Sequence, residues 1–119
     1  MTQTYQKFDL EERTALFGES VIKLCKKIKQ DSITYPIINQ LIRSATSIGA
    51  NYMEANGASS RKDFRNKIHI CKKESQETQH WIRMLGIARP ELKEEIRPIW
   101  QEVHEFVLIY QKISSSLKK

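Results

Sequence analysis

Long apolar runs are missing from this chain of 119 residues. No stretch approaches the roughly 18 consecutive apolar residues that a helix needs to cross a bilayer. The opening Met1-Thr2-Gln3-Thr4-Tyr5-Gln6 lacks the basic-then-apolar order of a secretory signal. A cytoplasmic protein with no membrane partner is therefore expected. Cysteine is scarce too. Cys25 and Cys71 sit inside helical patterns without His or Cys at metal-ligand spacing, as buried thiols of a reducing compartment do. The four glycines are scattered singly, so no loop can cradle a phosphate. No Gly-x-Ser-x-Gly elbow or His–Asp arrangement accompanies the serines. Strand alternation, low-complexity segments and internal repeats are absent as well.

A carboxylate metal centre is the one catalytic pattern with a foothold. Glu77-Thr78-Gln79-His80 has the Glu-x-x-His spacing of di-iron bundles, which need it on two helices plus a glutamate from each of the others. Glu19 and Glu54 could supply carboxylates, but the second motif is missing, since Glu102 precedes His104 by only two residues. His69, His80 and His104 read as interface or surface residues. The expectation is a protein that is not an enzyme and carries no metal or cofactor.

What the chain does have is helical periodicity. A capping-box-like Asp9-Leu10-Glu11-Glu12 opens a first helix with the apolar stripe Phe17, Val21, Leu24 and Ile28. Lysines crowd its last turns, where the helix dipole favours cations. Tyr35-Pro36 restarts the chain, and a second helix runs from about Pro36 to Ala55. Its Gly49 implies a close approach of another backbone or a bend, since a mid-helix glycine costs about 1 kcal/mol. Gly57 suits a left-handed cap in the turn that follows. Ser60-Arg61-Lys62-Asp63 caps a third helix, which ends around Gly86 to Arg89 before Pro90. The fourth carries Leu92, Ile96, Ile99, Val103, Phe106, Tyr110, Ile113 and Leu117 at alternating steps of four and three. Pro98 predicts a kink there or a short turn ahead of the main helix. Four helices with short connections predict an all-α, antiparallel up-down-up-down bundle, one domain over residues 1–119.

The second helix carries two stripes. Ile38, Leu41, Ala45, Ile48 and Tyr52 make an apolar one, and Gln40, Ser44, Ser47, Asn51 and Glu54 a polar one, with Arg43 beside it. If the second and third helices pair about residues 57–60, Arg43 meets Glu74, Gln40 meets Glu77, and Asn51 and Glu54 approach Lys67 and Phe64. One reading makes this seam a ligand or nucleic-acid site. The favoured one makes it a buried structural network of Gln40, Arg43, Asn51, Glu54, Glu74 and Glu77.

Lysine and arginine number 20 against 14 carboxylates, a formal charge of +6. The up-down arrangement gathers Lys7, Arg13, Arg61, Lys62, Arg65, Lys67, Lys112, Lys118 and Lys119 at one end, opposed by Asp9, Glu11, Glu12 and Asp63. Arg61, Lys62, Arg65, Lys118 and Lys119 are the candidate nucleic-acid-binding residues. The first three occupy the opening turns of a helix, where free N–H groups and the dipole also favour phosphate. No aromatic cluster accompanies them, so base stacking is not expected.

Gln40…Arg43-Ser44, Ile48-Gly49-Ala50-Asn51-Tyr52, Glu54-Ala55, Ser60-Arg61-Lys62-Asp63-Phe64, then Lys73-Glu74-Ser75-Gln76-Glu77-Thr78 and Trp81 follow one another in an order that resembles a bacterial four-helix-bundle family. That family is named after proteins encoded in intervening sequences of 23S ribosomal RNA genes. The resemblance runs from Phe8-Asp9-Leu10 to the last helix and is strongest between residues 40 and 85. It implies an up-down bundle assembling as a homopentamer, without an accepted catalytic role. It also implies kinship with the accessory variability determinant of diversity-generating retroelements, a basic pentamer that binds nucleic acid and a reverse transcriptase. The expectation is thus a homopentamer that binds RNA or DNA, or a nucleic-acid-handling protein such as a reverse transcriptase. The alternative is a protein-interaction scaffold without nucleic-acid binding.

Overall fold

Each expected apolar stripe becomes one wall of a common core. The computed structural model describes residues 10–118. The Asp9 cap, Lys7 and the candidate Lys119 lie outside the described residues. Helix α1 spans Leu10–Lys26, α2 Thr34–Asn56, α3 Arg61–Ala88 and α4 Lys93–Leu117, with a single 3-10 turn at Pro90–Leu92 before α4. They form an all-α four-helix bundle of 46 × 30 × 20 Å. Phe17, Val21, Leu24, Ile38, Leu41, Ile48, Ile68, Leu85, Val103 and Phe106 fill its interior. The α2–α3 pairing is the most extensive and α1–α4 the thinnest.

Local chemistry sets the helix ends. Asp31 Oδ1 accepts from the backbone N–H groups of Ile33 and Thr34 at 2.9 and 2.8 Å, while Thr34 Oγ1 accepts from Asp31 N–H at 2.9 Å. This reciprocal cap starts α2 at Thr34, two residues ahead of the expected proline. Ser60 Oγ accepts from Asp63 N–H at 3.0 Å and opens α3 as its sequence implied. Gly57 corrects an expectation: its φ is −95°, so the turn is made without a left-handed residue. Around Pro98 the short turn at Pro90–Leu92 does precede α4, yet Pro98 itself lies inside the helix.

Gly49 marks the close approach that its position implied. A Cβ there would stand 3.1 Å from Thr14 Oγ1 and 3.4 Å from the Thr14 carbonyl carbon, so α1 crosses α2 nearly backbone to backbone. At the far end Arg89 ties the α3–α4 connection to the α1–α2 connection, donating to the Lys29 carbonyl and, at 3.4 Å, to Asp31. No helix among the described residues is long and apolar enough to cross a membrane.

Candidate nucleic-acid interface

The polar seam divides into a dry half and a wet half. In the dry half the hydroxyls of Ser44 and Thr78 meet at 2.9 Å, both fully buried, and Ser75 lies buried beside them. In the wet half Arg43 bridges two carboxylates of α3, reaching Glu74 at 3.4 Å and Glu77 at closer range, while its Nε donates to Gln40 at 3.1 Å. The Arg43 side chain is 45% exposed and Glu77 39%, so this network is not the buried one expected. The reason is reach: a long guanidinium on the shoulder of α2 satisfies two acids without leaving water. Gln40 meets Glu77 only through Arg43. Asn51 turns back to the Ser47 carbonyl at 2.8 Å instead of approaching Lys67, which pairs with Glu54 at 2.7 Å. The hydrogen bonds from Arg43, then Trp81, hold the Glu77 carboxyl below the usual carboxylate range.

At the end where α3 begins, two of the expected cations are already engaged. Arg13 binds Glu102 at 2.8 Å and Glu105 at 3.1 Å and lies over the Phe106 ring, and Lys67 is taken by Glu54. Arg61 donates to the Leu117 carbonyl at 3.3 Å, tying α3 to the last turn of α4. Lys62, Arg65 and Lys118 are exposed.

A longer feature emerges once the buried face of α3 is known. Its exposed positions are Arg61, Lys62, Arg65, Asn66, His69, Lys73, Gln76, His80, Arg83 and Ile87. None is acidic. The two glutamates of α3 lie toward α2, where Arg43 holds them, and Asp63 is partly buried at the cap. The steps of three and four from Lys62 to Ile87 draw one line along a 28-residue helix, about 40 Å at 1.5 Å per residue. Sequence reasoning found only its first turn. The period was present in the sequence, but the interleaved Glu74 and Glu77 mask it there, and only the packed structure shows both turned toward α2 and shared by Arg43.

This line runs into a cleft of about 770 Å³ between α3 and α4. Gln76, His80 and Arg83 line it from α3, and Lys93, Arg97 and Trp100 from the opposite wall. Trp100 is 40% exposed and stacks on His104, with ring centroids 4.9 Å apart and planes 12° apart. An aromatic platform therefore stands beside Arg83, Lys93 and Arg97, whereas the expectation of no aromatic cluster concerned Arg61, Lys62 and Arg65 at the other end of α3. Its place beside Arg83 is not legible in the sequence, because Trp100 lies on another helix. Glu77 and His80 assemble no metal site: His80 packs edge-on against Trp81 at 4.8 Å, and Glu77 is occupied by Arg43 and the Trp81 N–H. Among the described residues no group of three or more His, Cys, Asp or Glu gathers at metal-binding distance.

Residues 6–105 match the profile of the family described as 23S rRNA-intervening sequence protein. The chain belongs to this family. A crystal structure of a protein with unknown function from the S23 ribosomal protein family of Bacteroides thetaiotaomicron is 31% identical, with a TM-score of 0.79 over 87% of this chain and 96% of that one. Among curated proteins none matches. For a 23S rRNA-intervening sequence protein, membership fixes the bundle and leaves the chemistry of its surface to be argued from the residues.

Proposed function

We propose that this family member is a non-enzymatic nucleic-acid-binding bundle that tracks a phosphate backbone along the outer face of α3, and that its copies assemble into a homopentamer. The observation that carries the reading is the composition of that face: Arg61, Lys62, Arg65, Lys73 and Arg83, two imidazoles, and no carboxylate. A solvated helix face ordinarily mixes both signs of charge, since an unbroken run of one sign repels itself. A partner carrying the opposite sign at regular spacing relieves that repulsion. Lys118 extends the face at the end where α3 begins. Repetition around a ring would place several such faces on one assembly, and the exposed Leu16, Ile22 and Met53 on the α1–α2 side supply apolar surface for contacts between copies.

Phosphate contacts release condensed counterions, so binding should be sequence-tolerant and fall steeply with salt. The test is a salt titration with duplex DNA, single strands and structured RNA, on the parent and on a variant with Lys62, Arg65, Lys73 and Arg83 changed to Gln. Each lost phosphate contact should flatten the log–log salt slope by about 0.7–0.9. Identical slopes for parent and variant would remove this face from consideration. A parent that binds none of the three at low salt would favour the protein-interaction scaffold.

A further inference from the structure

Gly86 lies in the last turns of α3, where a glycine costs about 1 kcal/mol relative to alanine. Close packing does not account for it. A Cβ at Gly86 would meet nothing within 4 Å, whereas one at Gly49 would press on Thr14. The space it leaves open is the α3–α4 cleft, of which Gly86 is part of the wall.

The cleft combines three features. Its floor is apolar, made by Ile82 and Ile96. Trp100 presents an exposed indole at its side, braced by His104, which is itself 3.4 Å from the amide of Gln79. Arg83, Lys93 and Arg97 stand around it, with Glu94 the carboxylate partner of Arg97 at 3.4 Å. An apolar floor, a flat aromatic wall and surrounding cations complement a heterocyclic base attached to phosphates. Side-chain amides at Gln76, Gln79 and Gln101 could meet the polar edges of such a ring.

We propose that the α3–α4 cleft receives an unstacked base of a single-stranded nucleic acid, stacked on Trp100, with Arg83, Lys93 and Arg97 on the adjoining phosphates. This rests on the reading of α3 as a phosphate-tracking face and adds strand selectivity to it. The cationic line along α3 accepts any phosphate backbone. The cleft accepts only a base that can leave its stack, as bases in single strands do readily and bases in a duplex do at a cost. A helix of a second copy fits less well, since an amphipathic partner would have to bring carboxylates to three cations as well as an apolar edge.

The experiment compares a short single strand of deoxyadenosine with a duplex of the same length. Binding is followed by fluorescence anisotropy of the labelled strand and by Trp100 emission in a Trp81→Phe background. The parent should prefer the single strand and show quenched Trp100 emission. Trp100→Ala and Gly86→Leu, the latter filling the cleft, should each weaken single-strand binding by about tenfold or more, as loss of one stacked base does. Both should leave duplex affinity and the salt slope unchanged, because neither removes a charge. Circular dichroism should show both variants folded, since Trp100 is exposed and Gly86 has space around it. Single-strand binding unaffected in both variants would overturn the cleft and leave the α3 face standing. A parent that binds no nucleic acid at low salt would overturn both.

Discussion

The hydroxyl of Thr78 on α3 lies 2.9 Å from that of Ser44 on α2, and neither side chain is reached by solvent. Each hydroxyl also has a carbonyl of its own helix within range, Glu74 at 2.8 Å for Thr78 and Leu41 at 3.3 Å for Ser44. This pair is formed by the residues that directly follow Arg43 and Glu77, turned toward the core, and the two halves of the seam differ in what they contribute. Thr78→Val keeps the shape but removes the partner of Ser44, leaving a buried hydroxyl to its own helix at a cost of about 1–2 kcal/mol. Arg43→Ala breaks an ion pair that water screens, so it should cost about 1 kcal/mol or less. Urea denaturation midpoints give the order. A larger loss for Arg43→Ala would mean that the ionic half, not the hydroxyl pair, holds α2 to α3.

Two glycines in helices should respond in opposite directions. Gly86→Ala regains helix propensity with no neighbour to disturb, and should stabilise by about 1 kcal/mol. Gly49→Ala gains the same propensity but drives a methyl against Thr14, whose carbonyl carbon belongs to the α1 backbone and cannot rotate away. Overpacking of this kind costs about 1–3 kcal/mol, so a net loss is expected. Thermal unfolding of the two variants decides it. A stabilised Gly49→Ala protein would show that α1 can shift outward freely.

The thiols should be silent in the folded protein. Burial pushes Cys25 up to about 11 and Cys71 up to about 12, and the thiolate is the reactive form. An aromatic disulfide reagent at pH 8 should find no thiol in the native protein and two after denaturation. Rapid labelling of one thiol would reveal local opening, at α1 if it is Cys25. Beside Cys71, the Tyr110 hydroxyl is buried without a hydrogen-bond partner among the described residues. Tyr110→Phe should therefore be neutral or stabilising, where removal of a bonded tyrosine hydroxyl would destabilise.

Acid should loosen the wet half of the seam. The Glu77 carboxyl is held low first by the Arg43 hydrogen bond and then by the Trp81 N–H, so its folded value lies below its unfolded one. A depressed carboxylate contributes stability that is present above the unfolded value, about 4.3, and lost as pH falls through the folded value. Glu77→Gln should accordingly lie below the parent in melting temperature at pH 7, with the gap closing as the pH falls below the unfolded value of about 4.3. Parallel melting curves across that range would contradict the assignment.

The sequence by itself determined the bundle. Steps of three and four in Phe17-Val21-Leu24, Ile38-Leu41-Ala45-Ile48 and Val103-Phe106-Tyr110 specify buried helix faces wherever the chain folds, because burial of a stripe depends on local periodicity. Ser60, and Gly49 as a crossing point, were legible for the same reason: each expresses a local backbone requirement. The surface was not legible in this way. Whether Arg13 and Lys67 were available depended on Glu102 and Glu54, which lie far from them in sequence or across a turn. The acid-free line on α3 appeared only after α2 had claimed Glu74 and Glu77. Trp100 and Arg83 became neighbours only because α4 packs antiparallel on α3. A helix's own period decides which side it buries. Only tertiary packing decides which charges are spent on neighbours and which groups from separate helices share a cleft.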